Sequence, residues 1–122
     1  MRKRLPKAFN CPTEFTLQVL GGKWKTVILS YLKERPLRYG ELREIIPSLS
    51  EKMLTQRLHD LVDAGLVARR RLDGKRGEAY VLTARGKSLS VVLTQIYRWG
   101  KAHATAYGVD VGEPLTELEK AS

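Results

Sequence analysis

Apolar side chains recur every three or four residues in four successive segments of the chain, which is the period of an amphipathic helix. These predicted helices cover residues 12–20, 23–34, 38–46 and 50–65. Each one ends at a residue that favours termination: Gly21 and Gly22, Pro36, Pro47 and Gly65. The first is apolar on more than one side, so it needs cover from elsewhere in the assembly.

The fourth predicted helix has two different faces. Its apolar stripe consists of Leu54, Leu58, Leu61 and Val62. Its polar side, hereafter the reading face, consists of Lys52, Thr55, Gln56 and His59. Ser50 suits the N-cap, because its hydroxyl can accept from a free N–H of the first turn, and we also count Ser50 among the DNA-binding residues. Lys, Thr and Gln can reach phosphates and base edges in a major groove, although this stretch by itself favours a surface helix with a solvated face.

The third and fourth predicted helices are joined by only three residues, Pro47-Ser48-Leu49. Two helices with so short a connection, the second bearing a polar face, are typical of a helix-turn-helix. Arg38 and Arg43 lie on the polar side of the third helix, where they can hold phosphates, and Arg57 is expected to reach the DNA backbone. The neighbouring segment therefore changes the interpretation of the fourth helix from a solvated surface to a DNA-reading element.

After Gly65 the hydrophobic period changes to that of β-strands. Residues 67–72 and 79–82 are the predicted strands, and residues 73–77 are the turn between them. Arg69 and Arg71 alternate, so they point to the same side, while Lys75 and Arg76 stand at the tip. The arginines are also typical of an edge strand protected by charge. Because the hairpin follows a helix-turn-helix, we interpret it as a wing whose tip contacts phosphate.

A long helix is predicted from Ala84 to Tyr107, with Thr83 as its cap. Its apolar stripe contains Leu89, Val92, Leu93, Ile96, Trp99 and His103. A helix of this length exceeds the mean of about 11–12 residues, so part of its stripe is expected to contact something outside its own small core. A symmetric dimer is the simplest explanation, and we assign its interface to Phe15, Val19, Leu93, Ile96, Trp99 and His103.

Charge is unevenly distributed along the chain. Residues 1–107 carry 21 Lys and Arg against 9 Asp and Glu, a net of +12, whereas residues 108–122 carry 1 against 4, a net of −3. We expect a basic arm over residues 1–10, one domain over residues 11–107 and an acidic, mobile tail over residues 108–122. A basic domain favours polyanionic partners, nucleic acid before anionic membrane, and solubility alone does not require this excess of one sign.

The chain contains one cysteine, so an intramolecular disulfide is impossible and a reducing cytosol is the expected compartment. No run approaches the roughly 18 apolar residues of a membrane span. The basic N-terminus is not followed by the apolar region of a secretory signal. We therefore expect a cytoplasmic protein and no membrane partner.

Several motifs in order resemble the HxlR family of bacterial winged-helix regulators. They are Cys11-Pro12, Gly-Gly-Lys-Trp at 21–24, Leu-Arg-Tyr-Gly-Glu-Leu at 37–42, Ile46-Pro47, Ser-Glu-Lys-Met-Leu-Thr-Gln at 50–56, Asp-Ala-Gly-Leu-Val at 63–67, Tyr-Val-Leu-Thr at 80–83, Gly86 and Trp99-Gly100. The resemblance covers roughly residues 10–105. It implies a mostly α fold with a small β-hairpin: a winged helix-turn-helix with N- and C-terminal dimerisation helices.

The same resemblance implies a homodimer that binds double-stranded DNA at a pseudo-palindromic operator, usually as a repressor. It also implies a cytoplasmic protein associated with the bacterial nucleoid. Some relatives sense electrophiles, quinones or oxidants through the cysteine that Cys11 matches, so a small-molecule or oxidant inducer is an open possibility. Cys11 is also the predicted N-cap of the first helix, and a helix N-terminus favours a thiolate and lowers the pKa of the thiol. Cys11 can equally be an inert thiol buried at a dimer seam, and both interpretations stay open.

Neither histidine belongs to a cluster with metal-ligand spacing, so no metal site and no cofactor is expected. Gly21-Gly22-Lys23 lacks the spacing of a phosphate-binding loop, and no catalytic set stands out, so an enzyme ranks last. A non-specific architectural DNA-binding protein is the main alternative. It explains the basic domain, but it does not explain the uncharged Thr55 and Gln56 in the middle of the reading face. A protein-interaction module would require an apolar wing.

Overall fold

Caps, glycines and prolines set the ends of the elements in the computed structural model, which describes residues 5–74 and 76–112. The helices are α1 (Pro12–Leu20), α2 (Lys25–Glu34), α3 (Tyr39–Ile45), α4 (Glu51–Asp63), α5 (Ala84–Lys87) and α6 (Ser90–His103). The strands are β1 (Val67–Arg71) and β2 (Glu78–Leu82), and a 3₁₀ turn follows α6 at Ala104–Tyr107. The predicted mostly α fold with a small hairpin, a winged helix-turn-helix, is confirmed.

The hairpin is antiparallel and joins the helical core through a short additional pairing. Val67 pairs with Leu82, and Arg71 pairs with Glu78. Leu37, just before α3, forms an isolated bridge with Tyr80: its N–H lies 3.1 Å from the Tyr80 carbonyl, and the Tyr80 N–H lies 2.7 Å from the Leu37 carbonyl. This bridge fixes the wing (residues 67–82) against the helix-turn-helix, and the sequence pattern did not predict it.

The core lies between α2, the helix-turn-helix and the hairpin. Its fully buried side chains are Ile28, Leu29, Leu37, Leu42, Leu49, Leu54, Leu58, Leu61, Val67 and Leu93. Three members of the predicted α4 stripe are therefore confirmed as buried. The fourth, Val62, is 39% exposed, because it lies at the edge of the arc that Leu54, Leu58 and Leu61 bury.

The single long helix predicted from Ala84 to Tyr107 is wrong, since the chain leaves α-helical bonding at Ser88 and Leu89. Thr83 does cap a helix: its hydroxyl accepts from the Gly86 N–H at 3.0 Å. A Cβ built on Gly86 would lie 2.1 Å from the Leu66 carbonyl oxygen, so α5 is pressed against the chain before β1. The Leu89 N–H then bonds to Gly86 at 3.0 Å, three residues back, which ends α5.

The side chains of the predicted stripe that lie on α6 differ in exposure. Leu93 is 1% exposed within the single chain, so its assignment to the dimer interface is wrong: a side chain enclosed by its own core offers no surface to a partner. Ile96 and Trp99 on the same helix are 49% and 57% exposed. The stripe therefore divides between the protomer's core and an outward apolar surface.

The predicted arm and tail are described only in part. Residues 5–10 have no helix or strand, and Phe9 packs edge-on against Phe15 of α1 with ring centroids 5.5 Å apart. Residues 109–112 are also irregular. Residues 1–4, Lys75 and residues 113–122 lie outside the described part of the chain, so the mobile acidic tail and the contact of Lys75 stay predictions.

Candidate nucleic-acid interface

The turn between α3 and α4 is held by one buried side chain, Leu49, and by the N-cap residue of α4, Ser50. Leu49 is buried in the core, and its N–H bonds to the Ile46 carbonyl at 3.1 Å. Ser50 accepts from the Met53 N–H at 3.1 Å through its hydroxyl, as expected of an N-cap. The start and direction of α4 are therefore fixed by one apolar anchor and one polar cap, and Ser50 serves the helix rather than standing free for a ligand.

The reading face of α4 is solvent-exposed along its whole length. Lys52, Thr55, Gln56 and His59 are all exposed, whereas Leu54, Leu58 and Leu61 between them are buried. The helical period thus separates the two sets as the sequence predicted. The four polar side chains share one surface, and a groove of DNA can approach it.

Tyr39 of α3 contacts this face and was not identified from the sequence. Its phenolic oxygen lies 3.1 Å from the Glu51 carbonyl and 3.0 Å from Thr55 Oγ1. The contact joins the first turn of α3 to the first two turns of α4. A tyrosine one residue inside a short polar helix was the available signal, but only the crossing of the two helices shows what it reaches.

The C-terminal half of α4 is occupied by bonds within the helix. Gln56 Nε2 donates to Asp60 Oδ1 at 3.0 Å, and Arg57 Nη1 lies 2.7 Å from Asp60 Oδ2. His59 Nε2 lies 3.4 Å from Asp63 Oδ2. Two carboxylates therefore stand beside the predicted DNA-contacting residues, and Arg57, which is half-buried, is held by Asp60 on the flank of α4.

Of the two predicted phosphate contacts on the third helix, Arg38 lies near the turn of the wing and Arg43 lies on α3. Arg38 precedes α3, and its backbone N–H donates to Glu41 Oε1 at 2.8 Å. That bond is the largest cause of the lowered pKa of the Glu41 carboxyl, and Arg35, 3.3 Å from Glu41 Oε2, also lowers it. Arg38 Nη1 lies 4.0 Å from the position that a Cβ on Gly77 would take. Arg43, on the last turn of α3, is half-buried.

The wing carries arginines that make no ion pair with any described residue. Arg69, Arg70, Arg71 and Arg76 are all exposed. The register pairs Arg69 with Tyr80 and Arg71 with Glu78, so Arg69 and Arg71 share one face as predicted, and Arg70 lies on the other. Arg70 donates to the Arg69 carbonyl at 3.1 Å. Exposed guanidinium groups without an ion-pair partner among the described residues are suited to phosphate oxygens.

Cys11 lies at the N-cap of α1, remote in sequence from the reading face, and is exposed. The backbone N–H groups of Glu14 and Thr13 lower the pKa of its thiol, that of Glu14 most. A thiolate at this position faces the unbonded N–H groups of the first turn, which is the arrangement that raises cysteine reactivity.

Within residues 5–74 and 76–112, no group of three or more His, Cys, Asp and Glu side chains could hold a metal ion. In the same part of the chain, no helix has the length and apolar character needed to cross a bilayer.

Comparison with known proteins places these features in a family. Residues 19–107 match the family described as HxlR-like helix-turn-helix. YkvN of Bacillus subtilis (strain 168), an HTH-type transcriptional regulator, is 39% identical over 99 residues, which cover 80% of this chain and 84% of YkvN. The redox regulator HypR in its oxidized form has a TM-score of 0.68 at 36% identity, covering 75% of this chain and 96% of that one. The reduced form of the regulator YodB from B. subtilis has a TM-score of 0.64 at 33% identity, covering 75% of this chain and 92% of that one.

Proposed function

Since the chain belongs to the HxlR-like helix-turn-helix family and is a helix-turn-helix transcriptional regulator, we propose that it binds a pseudo-palindromic operator as a homodimer and represses the adjoining genes. The observation that carries the proposal is the exposed reading face of α4, capped by Ser50 and lying beside a cationic wing. Polar uncharged side chains on a rigid helix suit base edges, and free arginines suit phosphates.

Within this proposal the side chains divide into two roles. Lys52, Thr55 and Gln56, on the first two turns of α4, read bases, because N-terminal residues of a recognition helix enter the major groove. His59 follows them one turn later, where its neighbour Asp63 restricts it. The phosphates are held by Arg38, Arg43, Lys75 and Arg76, together with the exposed Arg69 and Arg71 of β1. Arg57 is bound to Asp60, so we assign it to stabilising α4 in place of the expected backbone contact.

Dimerisation supplies the second reading head. Phe15 on α1 is 45% exposed, and Ile96 and Trp99 extend the apolar surface on α6. Val19, on the same helix as Phe15, is partly buried against the core, and His103 stacks on Trp99 with ring centroids 4.5 Å apart. Covering this surface with a second copy places two recognition helices on one duplex, about 34–36 Å apart if they read successive major grooves.

The direct test is selection from a random duplex library by the purified protein, at physiological salt and with excess bulk DNA. We expect enrichment of a short inverted repeat and a dimeric mass by light scattering. Trp99→Glu should shift the mass toward the monomer and reduce operator affinity, while Val109→Glu, an exposed apolar residue beyond the 3₁₀ turn, serves as the control. Retention that follows salt alone, with no enriched motif, would establish the architectural alternative instead.

We further propose that Cys11 senses oxidants or electrophiles, which rests on its exposure and on the lowered pKa of its thiol. Modification at the start of α1, beside the proposed dimer surface, would change the spacing of the reading heads. The selected operator should lose affinity after diamide or quinone treatment of the wild type, and Cys11→Ser should bind the operator without responding. An identical response of Cys11→Ser and wild type would exclude this role.

A further inference from the structure

The contact between Tyr39 and α4 restricts where three hydrogen-bonding groups can place their protons. The phenolic oxygen of Tyr39 lies within hydrogen-bond distance of the Glu51 carbonyl, at 3.1 Å, and of Thr55 Oγ1, at 3.0 Å. A carbonyl can only accept. The single phenolic proton therefore goes to Glu51, and Thr55 must donate its own hydroxyl proton to the phenolic oxygen.

This arrangement removes the donor from an exposed side chain of the reading face. With its proton given to Tyr39, Thr55 Oγ1 has only lone pairs left. It cannot donate to guanine N7 or O6, to thymine O4 or to a phosphate oxygen. The hydroxyl is also held toward α3, because β-branched side chains have few χ1 choices in a helix. The γ-methyl is then the uncommitted part of Thr55.

We infer that Tyr39 is a positioning residue that turns Thr55 into an apolar reading group, and that the Thr55 methyl recognises the C5-methyl of a thymine in the operator. Contact between a Thr methyl and the thymine methyl is an established form of base readout. The inference rests on the operator binding proposed above and names one base that the operator contains in each half-site. Tyr39 itself touches no DNA in this scheme.

The test replaces each thymine of the selected operator in turn by uracil, which removes only the C5-methyl group. Wild type should lose affinity at one symmetry-related position, by about 4-fold for each half-site, the effect of burying one methyl group. Thr55→Ser keeps the hydroxyl and its bond to Tyr39 but lacks the methyl, so it should bind thymine and uracil operators equally. Thr55→Val keeps the methyl and should retain the preference for thymine.

Tyr39→Phe separates positioning from folding. It removes the phenolic oxygen, so Thr55 regains a free donor and the ratio of thymine to uracil affinity should fall toward 1. A purely structural role would lower affinity for both operators equally, together with the melting temperature, and would leave that ratio unchanged. Such an unchanged ratio would overturn the role assigned to Tyr39.

The remaining outcomes distinguish this inference from the function beneath it. Failure to select any operator removes the proposed function and this inference together. Specific binding with no thymine sensitive to uracil replacement overturns this inference alone. Loss of preference for an adenine or cytosine in Thr55→Val, with thymines indifferent, would show that the Oγ1 lone pairs read the base, which also contradicts the methyl contact.

Discussion

The proposed recognition helix α4 and the wing carry net charges of opposite sign. Residues 51–63 contain Lys52 and Arg57 against Glu51, Asp60 and Asp63, a formal net charge of −1. Residues 67–82 contain 5 Lys and Arg against 2 Asp and Glu, a net of +3. The helix that should read DNA therefore does not attract it electrostatically, and the attraction falls to the wing and its surroundings.

The state of the side chains follows the same division. On α4, Gln56 and Arg57 are each bonded to Asp60, and His59 Nε2 lies 3.4 Å from Asp63 Oδ2. Gln56 and Arg57 therefore already have a partner before DNA arrives. On the wing, Arg69, Arg71 and Arg76 make no ion pair with a described residue and give up no such bond on binding phosphate. Within the proposed function, we assign affinity for any duplex to the wing and discrimination among duplexes to α4.

The largest effect should come from Arg69→Ala/Arg71→Ala/Arg76→Ala. Removing one arginine–phosphate interaction should flatten the dependence of log affinity on log salt by about 1 unit. The triple variant should therefore bind all DNA more weakly, by on the order of 100-fold or more at physiological salt. The ratio of operator to bulk affinity should change little. Fluorescence anisotropy across a salt series measures both quantities.

Arg70→Ala is the matched control for the wing, since Arg70 has the same chemistry but lies on the opposite face of β1. It should flatten the salt dependence less than Arg71→Ala does. Equal slopes for the two variants would mean that the faces of the hairpin are equivalent and that charge alone, without orientation, governs binding.

Gln56→Ala should reduce discrimination between base sequences, the property assigned to α4. Without its hydrogen bond to a base edge, binding should weaken by about 1–3 kcal/mol at one base pair and specificity should relax there, with the salt slope unchanged. Competition among operators that carry each base at every position measures this change. An unaltered base preference would remove Gln56 from the reading set.

The hydrophobic period and the caps predicted most of the fold because they depend on neighbours in sequence. Ser50 and Gly65 bound α4 as expected, with the backbone of Gly65 at φ 76°, a left-handed conformation. The break between α5 and α6 was missed because its cause is remote: Gly86 packs on the backbone of Leu66, twenty positions earlier in the chain. Leu93 was assigned to the wrong surface because an apolar stripe does not show which of its members the chain's own core covers.

The candidate site was predictable in the same measure. Exposure of the reading face follows from the period of one helix, so Lys52, Thr55, Gln56 and His59 could be selected from sequence. The partners of these side chains could not, because Tyr39 reaches Thr55 across sixteen positions through the crossing of two helices. Periodicity identifies what faces outward, and only tertiary structure shows which outward groups are already bonded.

Asp60→Asn should make α4 behave more like the wing, with more affinity for any DNA and less discrimination between sequences. It removes a negative charge beside the reading face and weakens the bonds that hold Gln56 and Arg57. Affinity for bulk DNA should therefore rise by roughly 3-fold, an effect within the range of free energies measured for exposed ion pairs. The ratio of operator to bulk affinity should fall.

Asp73→Asn in the turn of the wing is the control for that prediction. It removes the same charge but lies outside the reading face and makes no hydrogen bond with a described residue. Bulk affinity should rise to a similar extent while base preference stays intact. If both variants reduced base preference alike, the orientation of Gln56 by Asp60 would have no part in recognition.

The smallest effect should come from Glu41→Gln, which tests whether charges within the helix-turn-helix serve the fold. The pKa of Glu41 is lowered below its ordinary value of 4.5, chiefly by the Arg38 N–H and secondly by Arg35. Its stabilising contribution is therefore full above the unfolded-state pKa and is lost as pH falls through the lower folded-state pKa. Losing the charge in the first turn of α3 should cost about 0.3–1 kcal/mol of unfolding free energy at neutral pH.

Urea unfolding at a series of pH values checks this directly. The gap in stability between wild type and Glu41→Gln should be constant above about pH 5 and should close below it, while affinity for bulk DNA changes little because the wing is intact. Glu44→Gln, on the same helix but exposed and without a hydrogen bond to a described residue, is the matched control and should lower the unfolding free energy at neutral pH less than Glu41→Gln does. A stability gap that stays open at low pH would mean that Glu41 acts through packing. The helix-turn-helix would then not differ from the wing in having charges that are bonded for stability.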